Sequence, residues 1–322
     1  MSKVTIFAKK YTAAVAVPVL MIIMLLLISP ETRSWAAVFS LLKQGFAPAI
    51  LGWGVLFNMK VGNWDFSIGA RVVLTAILAG NIAVNYSLGI PGFVVLCIVL
   101  SMILGVVVGY AYQLLNIPTM IVSIGLMLIM ESFTRIIYNG AGLHFDSTYM
   151  TLGRFPYNLI VFVICFAIAS VLYYKRKYGY NVRAVGSNPA VAQTNGVSPR
   201  KTKAMALIIS GLFAGLFTIL STSTTGVCAA VSGTMGSVGT VFDAMMCVLI
   251  GMSISGKGSI IFAIYIGAIA TQILKMGMMA IGLPTTYSKV VIGVFVVIFM
   301  IAASRSDIIK KISPKLRRKD TV

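Results

Sequence analysis

The chain of 322 residues is 59% hydrophobic and 10% charged, with 26 basic against 7 acidic side chains and a formal net charge of +19. A soluble domain carries about 25% charge, and several apolar runs here reach or approach the ~20 residues that cross a bilayer's hydrocarbon core, which excludes a soluble globular fold. The basic residues cluster between apolar runs and are not interleaved with exposed aromatics, so a nucleic-acid surface is rejected as well.

What remains is an all-α polytopic membrane protein, one transmembrane domain over residues 1–322 built from about ten transmembrane helices. Lys3, Lys9 and Lys10 precede the first apolar run, 11–29. That run is long for the core of a signal peptide and ends in no small-x-small cleavage site, so it is read as a retained span with its N-terminus inside. Residues 31–35 form an external loop with Trp35 as an interfacial aromatic. The second span covers 37–57, interrupted by Gly45, Pro48, Gly52 and Gly54, and 58–65 lead into a third at 66–86. Spans four and five, 92–115 and 118–138, are joined so tightly through Asn116, Ile117 and Pro118 that they must be antiparallel neighbours.

A polar external loop, 138–157, holds the single histidine, His144, and span six (158–174) returns to the cytoplasm. Span seven covers 203–221. The Ser/Thr/Gly-rich stretch 221–239 is read as an external loop or a broken segment. Spans eight (240–253), nine (259–281) and ten (287–304) complete the chain, with Lys275 and Lys289 near span ends. The irregular regions at 45–66 and 222–253 leave eight or eleven spans compatible with the same pattern. Seven basic residues fall in 175–203 and seven more in the tail 305–322, the asymmetry that marks cytoplasmic segments. Both termini are therefore expected in the cytoplasm.

The polar island at 183–198, R-A-V-G-S-N-P-A-V-A-Q-T-N-G-V-S, lies inside the basic loop 175–203. Asn188 suits a helix cap and Pro189 the first helical position. Ala190, Val191, Ala192 and Gln193 continue the helix, and Gly196 supplies a left-handed stop. Two turns of helix are too short to stand alone in water. A short capped helix between two spans reads as a docking element for a soluble partner, or as an ordinary loop with one helical turn.

Ionisable groups in or near spans are Asp65, Glu131, Arg135 and Asp243. Each costs about 2.5–3.5 kcal/mol at the centre of an isolated helix, so each needs a partner or a water-filled path. Glu131 and Arg135, one turn apart, are expected to form a structural ion pair. Asp65 and Asp243 are expected to cap spans three and eight, and capping by Asp65 is compatible with lining a pathway. Cys97, Cys165, Cys228 and Cys247 stand alone and read as small core residues; with one histidine, neither a metal site nor any cofactor is expected. The stretch 251–258, G-M-S-I-S-G-K-G, approaches a phosphate-binding loop but ends in glycine where a hydroxyl is required and follows no strand. It reads as a tight turn. No H-E-x-x-H, G-x-S-x-G or pair of catalytic carboxylates suggests an enzyme.

Several stretches together resemble the permeases of ribose-, xylose- and galactose-type ABC sugar importers. The family's G-x-x-x-V-x-x-x-G-x-D-L-S-V-G is similar to residues 54–69, with Asp65, Phe66, Ser67, Ile68 and Gly69 at its end. Arg135-Ile-Ile-Tyr-Asn-Gly140 is similar to a shortened form of R-x-x-x-x-Y-T-N-G, and the loop from Tyr178 is very close to L-G-R-x-x-x-A-x-G-x-N-x-x-A-A-x-x-S-G-I. The resemblance implies a permease that dimerises with a second copy or a paralogue, couples to cytoplasmic ABC ATPase subunits and receives a sugar or related polar solute from an extracytoplasmic binding protein. Gly186, Asn188, Pro189, Ala190, Ala192, Gln193 and Gly196 would then form the coupling helix. Trp53, Asn58, Trp64, Asp65 and Phe66 are the residues expected along the solute pathway, and the departures Asn63-Trp64 and Phe66 leave open whether it carries a pentose, hexose, polyol, nucleoside or furanone. The competing reading is a secondary transporter that carries a proton or sodium ion on Asp65, Glu131 or Asp243 without any ATPase.

Overall fold

A computed structural model of the protein describes residues 35–255, 258–280 and 294. The first predicted span (11–29), the tenth (287–304), Lys289 and the basic tail (305–322) lie outside these residues, as does the side chain of Trp35. Among the described residues eight helical stretches are long and apolar enough to cross a bilayer, and they coincide with predicted spans two to nine.

The described residues open with α1 (Trp35–Gln44) and α2 (Phe46–Lys60). The region expected to be irregular from residue 45 is helical up to Lys60. Pro48 sits in the first turn of α2, where no amide donor is needed, and the glycines serve packing. A Cβ on Gly54 would lie 2.7 Å from the Phe213 Cβ, and one on Gly52 would lie 3.0 Å from the Ile264 Cγ2. After the turn at 61–66 come α3 (Ser67–Asn85) and α4 (Gly89–Leu115). Asn116, at φ 60°, ends α4 in the left-handed conformation, and α5 (Thr119–Ile136) starts after Pro118.

The loop that follows contains β1 (Leu143–His144), and α6 (Tyr157–Ser170) runs on through a wide turn at Val171–Lys175. Two short helices, α7 (Lys177–Ser187) and α8 (Pro189–Thr194), precede the long α9 (Pro199–Thr225). β2 (Val227–Cys228) pairs antiparallel with β1, Leu143 opposite Cys228. Finally α10 (Val238–Ser255) and α11 (Ile260–Ala280) pack on one another and on α2.

α9 extends four residues beyond the predicted span at either end. At its start Pro199 takes the first position and the Ser198 hydroxyl accepts from the Lys201 amide (3.4 Å). At its end the Ser/Thr run stays helical because Thr218, Thr222 and Thr224 donate to the carbonyls of Ala214 (2.8 Å), Thr218 (2.6 Å) and Leu220 (2.7 Å). A hydroxyl bonded one turn back needs no water. Gly226, at φ 72°, stops the helix, so the loop proper begins there and not at residue 221.

Burial sorts the helices into a centre and a rim. In α9 and α3, 78% and 72% of the membrane-length window is buried, against 33% in α4 and α5 and 28% in α6. Val95, Ile103, Ile129, Ile160 and Val163 are exposed on the outer helices, as expected where lipid tails are as apolar as the side chains. The tightest crossing joins α4 to α9. Cys97, Ser101, Gly105 and Gly109, each one turn apart, face Ala204, Ile208, Gly211 and Gly215, and a Cβ on Gly211 would approach the Ser101 carbonyl to 2.8 Å. The Ser101 hydroxyl donates to the Gly211 carbonyl at 2.6 Å. Such small-residue seams let backbones approach where the hydrophobic effect gives no drive between helices.

Candidate functional site

The basic loop folds as a two-helix projection. Lys175, Arg176 and Lys177 lead into α7, and the Arg183 guanidinium stacks 4.6 Å from the Tyr180 ring and 5.5 Å from Tyr173, which ties α7 to the end of α6. Asn188 then caps α8, its Oδ1 accepting from the amides of Ala190 (3.0 Å) and Val191 (3.2 Å), with Pro189 in the first turn. Gly196 takes φ 79° and its amide donates to the Gln193 carbonyl at 3.0 Å. The cap, the helix and the stop therefore stand where the residues placed them.

The faces of α8 divide differently from expectation. Ala190, Val191 and Gln193 are exposed, whereas Ala192 is buried at 4% exposure against the body of the protein. The Ala192 side chain therefore turns inward, away from the exposed face that Ala190, Val191 and Gln193 form, as expected where a helix presents only part of its circumference to either side. Val191 is 55% exposed and is inconspicuous in the sequence, since an aliphatic residue in a mostly apolar chain carries no signal. Gly186 serves packing: a Cβ there would strike the carbonyl oxygen of Lys60, at the end of α2.

That contact connects the projection to a buried polar brace. Asp65 sits between α2 and α3, 3% exposed, and forms an ion pair with Arg71, which is fully buried. Its Oδ1 accepts from the Ser67 amide (3.0 Å) and hydroxyl (2.6 Å), the expected cap on α3, and Oδ2 accepts from the Asn58 amide group (3.3 Å). Arg71 also donates to the Leu207 carbonyl (3.2 Å) and the Ser210 hydroxyl (3.1 Å) of α9. Asn63 donates to the Lys203 carbonyl at 3.0 Å. One carboxylate and one guanidinium thus fasten α2, α3 and α9 beside the α7–α8 projection. Sequence reasoning missed Arg71; the signal that could have found it is a lone arginine inside an apolar span.

The other residues expected along a pathway scatter. Trp53 is fully buried, donates from Nε1 to the Ile261 carbonyl (2.9 Å) and packs on Phe162 and Phe166. Asn58 is buried on Asp65, Phe66 meets Phe242 edge-on, and Trp64 is half exposed. The structure joins only Asn58 to Asp65 among them through side chains.

Glu131 and Arg135 require a correction. They do not pair with each other, because a nearby loop offers each a better set of partners. Glu131 accepts from the amides of Met235 and Ser237 (2.9 Å each) and the Ser237 hydroxyl (2.6 Å). Arg135 donates to the carbonyls of Val231 (2.8 Å) and Gly233, and the Val231 amide donates to Thr134 (3.2 Å). The last two turns of α5 clamp the loop 231–237. Asp243 lies inside α10 and does not cap it; it pairs with Lys275 of α11 at 2.6 Å. Of the phosphate-loop look-alike, Gly251 packs against the Ile264 backbone within α10, while Gly256 and Lys257 lie outside the described residues. Cys97, Cys165 and Cys247 are buried and Cys228 partly so, and no cluster of potential metal ligands occurs among the described residues.

A family described as branched-chain amino acid transport system / permease component matches residues 37–300. The chain is 24% identical to the galactose/methyl galactoside import permease protein of Salmonella typhimurium, over 88% of this chain and 91% of that one. It is 23% identical to the ribose import permease protein of Escherichia coli K12, covering 87% and 89% of the two chains. The ribose import permease protein of Bacillus subtilis is 25% identical over 87% and 88%. No solved structure matches.

Proposed function

The chain belongs to the branched-chain amino acid transport system / permease component family, and from that premise we propose that it is the membrane-spanning permease of an ATP-driven, binding-protein-dependent importer of a sugar or related polar solute. The solute class follows the relatives, whose names are galactose and ribose import permeases. The chain is a transport subunit and not an enzyme; ATP is hydrolysed on partner subunits. It resides in the inner membrane as a multi-pass protein with both termini in the cytoplasm, the orientation that puts the basic loop 175–203 inside. It works beside a second permease copy or paralogue, with ATPases on the cytoplasmic face and a solute-binding protein on the other.

The observation that carries this reading is the capped helix α8, held out from the membrane body with Ala190, Val191 and Gln193 exposed. An exposed apolar tip rimmed by polar residues marks a protein-contact surface. Movement of α8 passes to α7, through the Gly186–Lys60 contact to α2, and through Asp65 and Arg71 to α3 and α9. A push from an ATPase on α8 is thereby delivered to α3 and α9, the most buried of the described helices, the ones whose rearrangement opens and closes a path.

The gradient-driven alternative loses ground at the side chains it needs. Asp65 is committed to Arg71, Asp243 to Lys275, and Glu131 to three donors of a loop. The test is uptake in proteoliposomes containing permease, ATPase and binding protein. Uptake that requires ATP and withstands proton and sodium ionophores supports the proposal; uptake by the permease alone that ionophores abolish overturns it.

A further inference from the structure

At the end of the bundle opposite α8 lies a cavity of about 440 Å³ between α1, α6, α9 and α11. Its size suits a small polar solute, since such sites run from about 300 to 1,000 Å³. Its polar wall comes from Lys43, Gln44, Arg154, Asn158, Thr224 and Gln272, and among the described residues no carboxylate contributes to it. Asn158 is the most enclosed of these at 8% exposure, and its side-chain oxygen, itself buried, has no hydrogen-bond partner among the described residues. Phe155, 53% exposed, presents an aromatic ring beside it.

Two features set the chemistry of the occupant. Lysine and arginine offer donors only, so a wall with two cations and, among the described residues, no carboxylate favours a solute with surplus acceptors over a neutral polyol. Moreover, topology does not account for these cations. Positive charge gathers on the cytoplasmic side, and Lys43 and Arg154 sit at the other end, with no carboxylate partner among the described residues. The amides and hydroxyls of Gln44, Asn158, Thr224 and Gln272 are suited to hydroxyl groups.

We propose that this cavity is a solute-binding vestibule for a polyhydroxylated carboxylate, a sugar acid, with Lys43 and Arg154 holding the carboxylate and Asn158 and Gln272 the hydroxyls. The assignment deepens the import reading by narrowing the solute class, and it rests on that reading only for the direction of transport.

The test is thermal unfolding of the purified full-length permease in neutral detergent, without ATPase or nucleotide, titrated with D-galacturonate, D-galactose or inorganic phosphate. D-galacturonate is expected to raise the midpoint saturably, with D-galactose at least about tenfold weaker, as for loss of a charge-assisted hydrogen bond. Arg154→Gln and Lys43→Gln should each weaken D-galacturonate by a similar factor while leaving the ligand-free midpoint unchanged. Asn158→Leu should weaken both sugars alike. Equal binding of galactose and galacturonate, indifference to the two charge variants, or no binding of galacturonate at tens of millimolar overturns the proposal. Phosphate binding as strongly as galacturonate also overturns it, and identifies the cations as a lipid-headgroup site. Because no partner subunit is present, failure here leaves the coupling assignment standing, and failure of coupling leaves this result standing.

Discussion

Asp65 and Arg71 are the residues on which the centre of the bundle depends most. A buried pair adds little over an apolar replacement, but removing one member strands the other charge, at a cost of about 3–5 kcal/mol. Arg71→Met and Asp65→Leu should therefore each lower the thermal midpoint in detergent strongly, and the double variant should recover most of the loss. Equal loss in all three would show that the pair contributes through packing alone. Half of this brace was legible. Asp65 stood at the start of a predicted span, where a carboxylate caps a helix, but its partner six residues on does not share a helix face with it. The two meet only because Asp65 lies before α3 begins, which no periodicity reveals. Cys228 gives a second expectation outside the spans. Burial pushes its thiol up to about 11, and since the thiolate is the nucleophile, alkylation should be slow at pH 8 and accelerate only as pH approaches that value. Ordinary reactivity at pH 8 would mean that the β1–β2 loop leaves it open to water.

At the scale of elements, α8 was legible almost residue by residue because caps and stops are local chemistry. Which face it buries was not, since that depends on the body it rests against. The distinction is testable. Ala190→Glu and Val191→Glu place charge on the exposed face and should abolish ATP-coupled uptake with little change in thermal midpoint. Ala192→Glu places the charge in a buried site and should lower the midpoint and yield. If the Ala190 and Val191 variants transport normally, α8 is not the coupling element. The α4–α9 seam makes a similar demand. Gly211→Leu forces a side chain against the Ser101 carbonyl and Gly105, and overpacking of this kind costs about 1–3 kcal/mol or more; a midpoint equal to wild type would mean that the two helices separate freely. The same reasoning explains Glu131. Its spacing from Arg135 permitted a pair, but a loop far downstream, with amides in need of acceptors, competes for it, and local spacing is silent about distant partners.

For the whole molecule, hydropathy and length located the eight spans among the described residues, because the bilayer imposes both on every crossing helix. The errors fell where polar or helix-breaking residues occupy helices: the glycines and proline of α2, and the serine and threonine run that ends α9. Hydrogen bonds back along the helix and close helix–helix contacts make those residues tolerable, and composition alone does not register them. The order of burial, with α3 and α9 at the centre, arises from packing and was not written in any single segment. It matters for the mechanism, since the brace from α8 leads to those two helices.

The most direct test of the account is co-purification of tagged permease from native membranes in mild detergent, followed by ATPase assay, for wild type and Val191→Glu. The account predicts a stoichiometric ATPase with the wild type and its loss, without loss of folded permease, in the variant. A permease that comes through alone and drives ion-gradient-dependent uptake in liposomes would contradict it.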